Sequence, residues 1–201
     1  MTIASSEQIA ERYRRVRDEV GERVTVVVAS KYVSAEEMAG LAEAGVEVVG
    51  ENRAQDLELK HAAYGDTFRW HFIGHLQSNK VKVVNRFCEL VHSLSSESAA
   101  TRLTVPALLE VNLAEEGTKS GVSPVEIASF LLRFPSIRGL MTMPPLAADP
   151  EASRPYFRRL AEVAAEHELP ELSMGTSQDY RVAVEEGATL VRIGEALFKA
   201  H

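Results

Sequence analysis

The residues best equipped for chemistry in this sequence sit at the ends of short apolar runs. Val24-Thr25-Val26-Val27-Val28-Ala29-Ser30-Lys31 is rich in strand formers, too short to span a membrane, and reads as a buried strand closing on a lysine. A lysine at a core edge loses hydration and gives up its proton more readily, and the neutral amine attacks aldehydes to form Schiff bases. A lysine that merely snorkels to solvent from a strand end would have the same signature. Near the C-terminus, Ser173-Met174-Gly175-Thr176-Ser177-Gln178-Asp179 places small residues where a helix is expected to start at Ser177. Free backbone N–H groups at such a start receive anions. Thr176 and Asp179 also fit a capping box. Arg192-Ile193-Gly194-Glu195 then offers a guanidinium, a glycine permitting close backbone approach, and the start of a short helix.

Other combinations carry less. His71 and His75 are four apart, but Phe68 to Ile73 reads as a strand, so the helical spacing of metal ligands does not apply and no metal is expected. Gly175-Thr176-Ser177 lacks the second glycine of a nucleophile elbow. Lys80, Lys82 and Arg86 form a basic helix face that reads as solvated. Cys88 is the single cysteine, which excludes an intrachain disulfide and a cysteine-based zinc site. With 201 residues, 45% hydrophobic and 25% charged, the chain suits one domain spanning 1–201. Its net charge of -7 disfavours a nucleic-acid partner. Residues 1–20 show no signal-peptide pattern and no run is long enough for a membrane helix, so a cytoplasmic protein is expected.

The elements that must position these side chains alternate. Ile9, Tyr13, Val16 and Val20 share one face of an N-terminal helix over Glu7 to Val20. Ser34 to Glu37 is a capping box opening the first crossover helix, and Val46 to Asn52 is a second strand, so parallel pairing is required. Helix at Arg53 to Tyr64, strand at Phe68 to Ile73, helix at Leu76 to Phe87 and strand at Leu90 to Leu94 follow. A clipped helix is expected within Glu97 to Leu103, then a strand at Val105 to Asn112. Ser123-Pro124-Val125-Glu126 starts a helix running to Phe134. Strand Ile137 to Met143, helix Ala152 to His167, strand Leu172 to Met174, helix Ser177 to Glu186, strand Thr189 to Ile193 and helix Glu195 to Ala200 complete the series. About eight strand–helix units with a helix in front predict a single (β/α)8 barrel. An open doubly wound sheet also alternates, but Ser30-Lys31-Tyr32-Val33 does not resemble its glycine-rich fingerprint. In a barrel, the loops after strands seven and eight frequently hold phosphate. Arg192 shares parity with Leu190 and Gly194 and can point inward. A guanidinium keeps its proton, so a pyridine nitrogen facing it would accept a hydrogen bond, stay unprotonated and make the ring a weak electron sink. The alternative is a rim salt bridge.

Several segments are familiar: V-V-V-A-S-K at Val26 to Lys31, G-E-N-R-A-Q-D at Gly50 to Asp56, and W-H-F-I-G-H-L-Q-S-N-K at Trp70 to Lys80. E-V-N-L-A-E-E-G-T-K-S-G-V at Glu110 to Val122, G-L-M-T-M-P-P at Gly139 to Pro145, L-S-M-G-T-S-Q-D at Leu172 to Asp179 and V-R-I-G at Val191 to Gly194 continue the pattern. Together they resemble the YggS/PROSC family of pyridoxal 5′-phosphate homeostasis proteins, related to the alanine racemase N-terminal barrel. The resemblance implies pyridoxal 5′-phosphate linked to Lys31, with its phosphate on Ser177 and the backbone of Gly194 and Glu195. It also implies Arg192 facing the pyridine nitrogen and Asn52 and Met174 near the ring.

The sequence departs from the family at Arg53, where a tyrosine is frequent, at Glu195, where a hydroxyl residue is usual, and at Lys199, where a glycine closes the pattern. The racemase's second domain, which supplies a catalytic tyrosine, is expected to be absent. The resemblance therefore implies a carrier or buffer of the cofactor, without catalytic residues of its own and with apo-enzymes that use the cofactor as partners, and the lack of an obvious exposed apolar stripe in the sequence leads to the expectation of a monomer. A weak amino-acid racemase is the alternative, and a phosphate-binding barrel using Lys31 in aldolase chemistry is the third.

Overall fold

In a computed structural model, which describes residues 4–114 and 120–199, eight parallel strands close into a barrel in the order β1 to β8, with β8 pairing back onto β1. Helix α1 (Ser6–Val20) precedes β1 (Thr25–Ala29), and α2 (Met38–Glu43) leads to β2 (Val48–Glu51). Then come α3 (Ala54–Tyr64), β3 (Arg69–Phe72), α4 (Val81–Phe87), β4 (Leu90–Leu94), α5 (Glu97–Ala100) and β5 (Ala107–Glu110). The second half is α6 (Ile127–Arg133), β6 (Ile137–Met141), α7 (Arg154–Glu166), β7 (Glu171–Thr176), α8 (Tyr180–Glu185), β8 (Leu190–Ile193) and α9 (Glu195–Phe198). The sheet is the (β/α)8 barrel that the alternation predicts.

Strand parity divides the core into two layers. Val26, Val28, Val49, Leu109, Leu140, Met174 and Val191 point outward into the large core shared with the helices. Val27, Val48, Leu90, Leu108, Met141 and Leu190 point into the barrel and form a separate cluster there. Helix α1 buries the four residues its period selects, Ile9, Tyr13, Val16 and Val20. It packs on α2, α8 and α9. Because α9 is a single turn, α1 completes the outer helical ring, anchored by Arg12, whose guanidinium donates to the carbonyls of Leu197 and Lys199 at 3.0 and 2.8 Å.

Local departures from the sequence reading have identifiable causes. Strand β1 stops at Ala29, and Lys31 lies in a 3-10 turn over Ser30–Tyr32. Residues 76–80 are not helical, so α4 starts at Val81. Helix α8 starts at Tyr180 rather than Ser177, because the Asp179 carboxylate takes the Thr176 N–H at 2.7 Å and its hydroxyl at 3.0 Å, closing a turn. Strands β2 and β5 are shorter at both ends than their apolar runs. The clipped fifth helix is as expected, one turn capped by Ser96. Within Glu110 to Val122, residues 115–119 lie outside the described residues, as does Ala200 at the end of the last helix.

Candidate functional site

The C-terminal ends of the strands surround a cavity of about 420 Å3. Lys31 enters it from the turn after β1, Asn52 from the end of β2, and Arg192 from β8. Ser177, Gly194 and Glu195 close the side formed by the loops after β7 and β8. Six of the seven expected site residues thus share one cavity. Met174 does not: it is fully buried in the outer core, because Ser173 takes the inward parity of β7.

Lys31 is exposed, with Nζ 5.0 Å from the centroid of the Tyr32 ring. Its chemistry rests on access to the cavity. Behind it, Lys60 of α3 donates to the Ser30 carbonyl at 2.8 Å and to Glu51 at 2.5 Å, while the Ser30 hydroxyl donates to Glu51 at 2.7 Å. This buried group fixes the turn that presents Lys31.

Arg192 is held from behind. One terminal nitrogen donates to the carbonyl of Ser173 at 2.9 Å and to the Ser173 hydroxyl, and the other donates to the Thr142 carbonyl at 3.1 Å and to the Met143 sulfur. Both terminal nitrogens are thus engaged among the described residues, while the guanidinium still lines the cavity. Burial lowers its pKa to about 10, against the raising influence of Asp179 and Glu110, so the group is charged at neutral pH.

Ser177 Oγ accepts from the amides of Gly194 and Ala196, each at 3.1 Å, so two backbone donors converge on one oxygen. A Cβ at Gly194 would lie 2.5 Å from the Tyr32 ring, which makes glycine a requirement of space there. The Glu195 carboxylate pairs with Lys199 at 2.8 Å, one turn on. The Asn52 side-chain oxygen is buried without a hydrogen-bond partner among the described residues. An acceptor so placed calls for a donor from whatever fills the cavity.

The cavity also contains residues that reading strand ends misses. Ser93 and Glu110 line it, whereas Asn112, the expected end of the fifth strand, is not among its lining residues. Period two from Leu108 in the barrel interior would have found Glu110. Ser173, His92 and His71 are buried polar residues inside the barrel. Burial is the main cause that lowers the pKa of His71, opposed by the Glu89 carboxylate, and burial pushes His92 well below the usual range, helped by His71 and Arg192. Both rings are therefore neutral in the fold at neutral pH.

Unfolding returns each histidine to an ordinary pKa near 6.5, so below that pH the unfolded chain binds more protons than the folded one. Stability then falls with pH by about 1.4 kcal/mol per unit for each such proton. Urea midpoints measured at pH 7.5 and pH 5 should show a clear drop at pH 5. A midpoint independent of pH across that window would mean that the histidines are not held neutral. Glu89 acts in a lower window: its hydrogen bond from His71, with help from Arg69, lowers its pKa to about 2. That contribution is present above the ordinary carboxylate range and is lost as pH falls toward 2.

Over residues 4–201 the sequence matches the family described as alanine racemase, N-terminal domain. It is 43% identical to the pyridoxal phosphate homeostasis protein of Aquifex aeolicus (strain VF5), covering 85% of this chain and 84% of that one. Among solved structures it is similar to PipY of Synechococcus elongatus PCC7942 with PLP bound, at a TM-score of 0.87 and 31% identity, covering 95% of this chain and 100% of that one. Alanine racemase from Corynebacterium glutamicum shares the fold, at a TM-score of 0.73 and 17% identity, over 98% of this chain and 63% of that one.

Proposed function

Because the chain belongs to the alanine racemase N-terminal domain family, alongside the pyridoxal phosphate homeostasis proteins, we propose that it binds pyridoxal 5′-phosphate and stores and releases it inside the cell. The observation that carries the reading is the convergence of Lys31, Arg192, Asn52 and the Ser177–Gly194 corner on one cavity of about 420 Å3. These residues fit the group. Lys31 supplies the amine for a Schiff-base linkage. The amides now gathered on Ser177 Oγ supply phosphate donors, and the orphaned Asn52 oxygen supplies an acceptor. Those amides belong to Gly194 and Ala196, and the Glu195 carboxylate is turned to Lys199. When bound, the cofactor supplies an aldehyde for the lysine and a ring able to take up electrons.

Arg192 supports holding over catalysis. Its guanidinium would face the pyridine nitrogen without transferring a proton to it, which would keep the ring a weak electron sink. The barrel over 1–201 acts as one cofactor-binding unit, in the cytoplasm, as a monomer. Its exposed large apolar residues are scattered over α3, α6 and the loops before α6 and after β6 rather than gathered in a patch. No helix among the described residues is long and apolar enough to cross a membrane.

The loaded protein, mixed with an apo-enzyme that uses this cofactor, should restore that enzyme's activity. It should also racemise isotopically labelled alanine no faster than Lys31→Ala does. Racemisation clearly above that control would replace the carrier with a racemase.

A further inference from the structure

A line of buried polar groups crosses the barrel from the cavity to its opposite mouth. Arg192 donates to the Ser173 hydroxyl, Ser173 Oγ lies 2.7 Å from His92 Nδ1, and His92 Nε2 lies 2.9 Å from His71 Nδ1. His71 Nε2 lies 3.0 Å from a carboxylate oxygen of Glu89. Glu89 stands in a second cavity, of about 330 Å3, which Arg23, Arg69, Arg138 and Glu171 also line. Four residues inside the barrel, from four different strands, thus join its two ends.

The ends fix the direction of every bond between. Arginine can only donate and an ionised carboxylate can only accept. Glu89 accepts, so His71 carries its hydrogen on Nε2 and, as a neutral ring, accepts on Nδ1. His92 must then carry its hydrogen on Nε2 and donate to His71 Nδ1, which leaves its Nδ1 to accept the hydrogen of the Ser173 hydroxyl, whose oxygen accepts from Arg192. Each ring has one tautomer compatible with both neighbours, and no group in the line lacks a partner.

We propose that Ser173, His92 and His71 are positioning residues for Arg192: a one-directional hydrogen-bond chain, anchored at Glu89, that aims the guanidinium at the ring of the bound cofactor. The chain rests on the pyridoxal phosphate reading for its purpose but not for its existence. Its groups face few others. His71 meets His92 of β4, Arg69 of β3, Glu171 of β7 and Glu89, while His92 meets His71, Ser173 and Arg192. A proton added to His71 Nδ1 would set two donors face to face against His92. Relief would require His92 to move its hydrogen to Nδ1 and Ser173 to turn its own hydrogen away, so a charged His71 reorganises the hydroxyl that receives Arg192. This predicts that a cofactor-bound spectrum responds to changes made far from the cofactor.

The test has two arms. In the first, nitrogen-edited NMR of the cofactor-free protein at pH 7.5 should show His71 and His92 both neutral and both protonated on Nε2. A Nδ1–H tautomer or a charged ring at either position overturns the chain whether or not the cofactor binds. In the second, loaded wild type, His92→Asn and His92→Leu are titrated by visible absorbance, and cofactor release is timed. The asparagine side-chain oxygen can accept from Ser173 in place of Nδ1; leucine cannot. His92→Leu should release the cofactor roughly tenfold faster, about one hydrogen bond's worth, and shift the pH profile of the band. His92→Asn should recover most of both. Should His92→Leu fail to fold, Ser173→Ala removes only the hydroxyl and carries the same expectation. Variants with wild-type release and pH profiles would overturn the positioning role, and wild type that takes up no cofactor would overturn the functional reading while leaving the first arm to decide the chain.

Discussion

Lys31→Ala should give a folded barrel that no longer shows a visible cofactor band and no longer retains pyridoxal phosphate through gel filtration. Lys31 is exposed in the turn Ser30–Tyr32, with Nζ 5.0 Å from the centroid of the Tyr32 ring. Exposed changes of this kind usually stay within about 0.5 kcal/mol, so the thermal midpoint should stay close to that of wild type. Among the described residues, the other lysine near the site is Lys60, which is buried with its ammonium committed to Glu51 and Ser30. Arg192, Ser177 and Asn52 remain, so weak, rapidly reversible binding should persist. Absorbance and differential scanning on the same sample separate the two effects. A band retained in the variant would move the linkage to a different residue.

Lys60→Met should be the most destabilising single change in the neighbourhood of the site. Its ammonium and the Glu51 carboxylate are 2.5 Å apart, with side-chain exposures of 6% and 0%. Removing the cation leaves a buried carboxylate held, among the described residues, by the Ser30 hydroxyl and the Asn52 N–H. Breaking one side of such a pair costs about 3–5 kcal/mol, a large part of the roughly 5–15 kcal/mol that holds a domain folded. The Ser30 carbonyl also loses its donor, so the turn presenting Lys31 loosens. The double variant Glu51→Gln/Lys60→Met removes both charges and should recover most of the stability. Urea unfolding of the two variants beside wild type decides the matter. A single variant within about 1 kcal/mol of wild type would show that the pair does not brace the site.

The barrel was legible because its strands and helices alternate with different periods, and because α1 buries the four residues its spacing selects. The loops after β7 and β8 were legible as a pair because small residues, a capping aspartate and Gly194 are local signals. Other features need pairings that no local window contains. His71 read correctly as a strand residue, but its partner His92 is 21 positions away and its place inside the barrel depends on sheet register. The Glu51–Lys60 pair joins a strand to the next helix, and neither residue is unusual in its own segment. Met174 was misplaced by one step of parity: Ser173, not Met174, faces inward and meets Arg192. Strand β5 ends two residues before its apolar run does, which hid Glu110 behind Asn112.

The most direct test of a cofactor held on Lys31 is borohydride reduction of the loaded protein followed by mass mapping of its lysine peptides. The account predicts that the visible band is lost on reduction and that the reduced cofactor's mass is found on the peptide carrying Lys31. Lys60, Lys80, Lys82, Lys119 and Lys199 should be unmodified. Label on one of those lysines instead, or a protein that stays colourless and unlabelled with pyridoxal phosphate in excess, would contradict it.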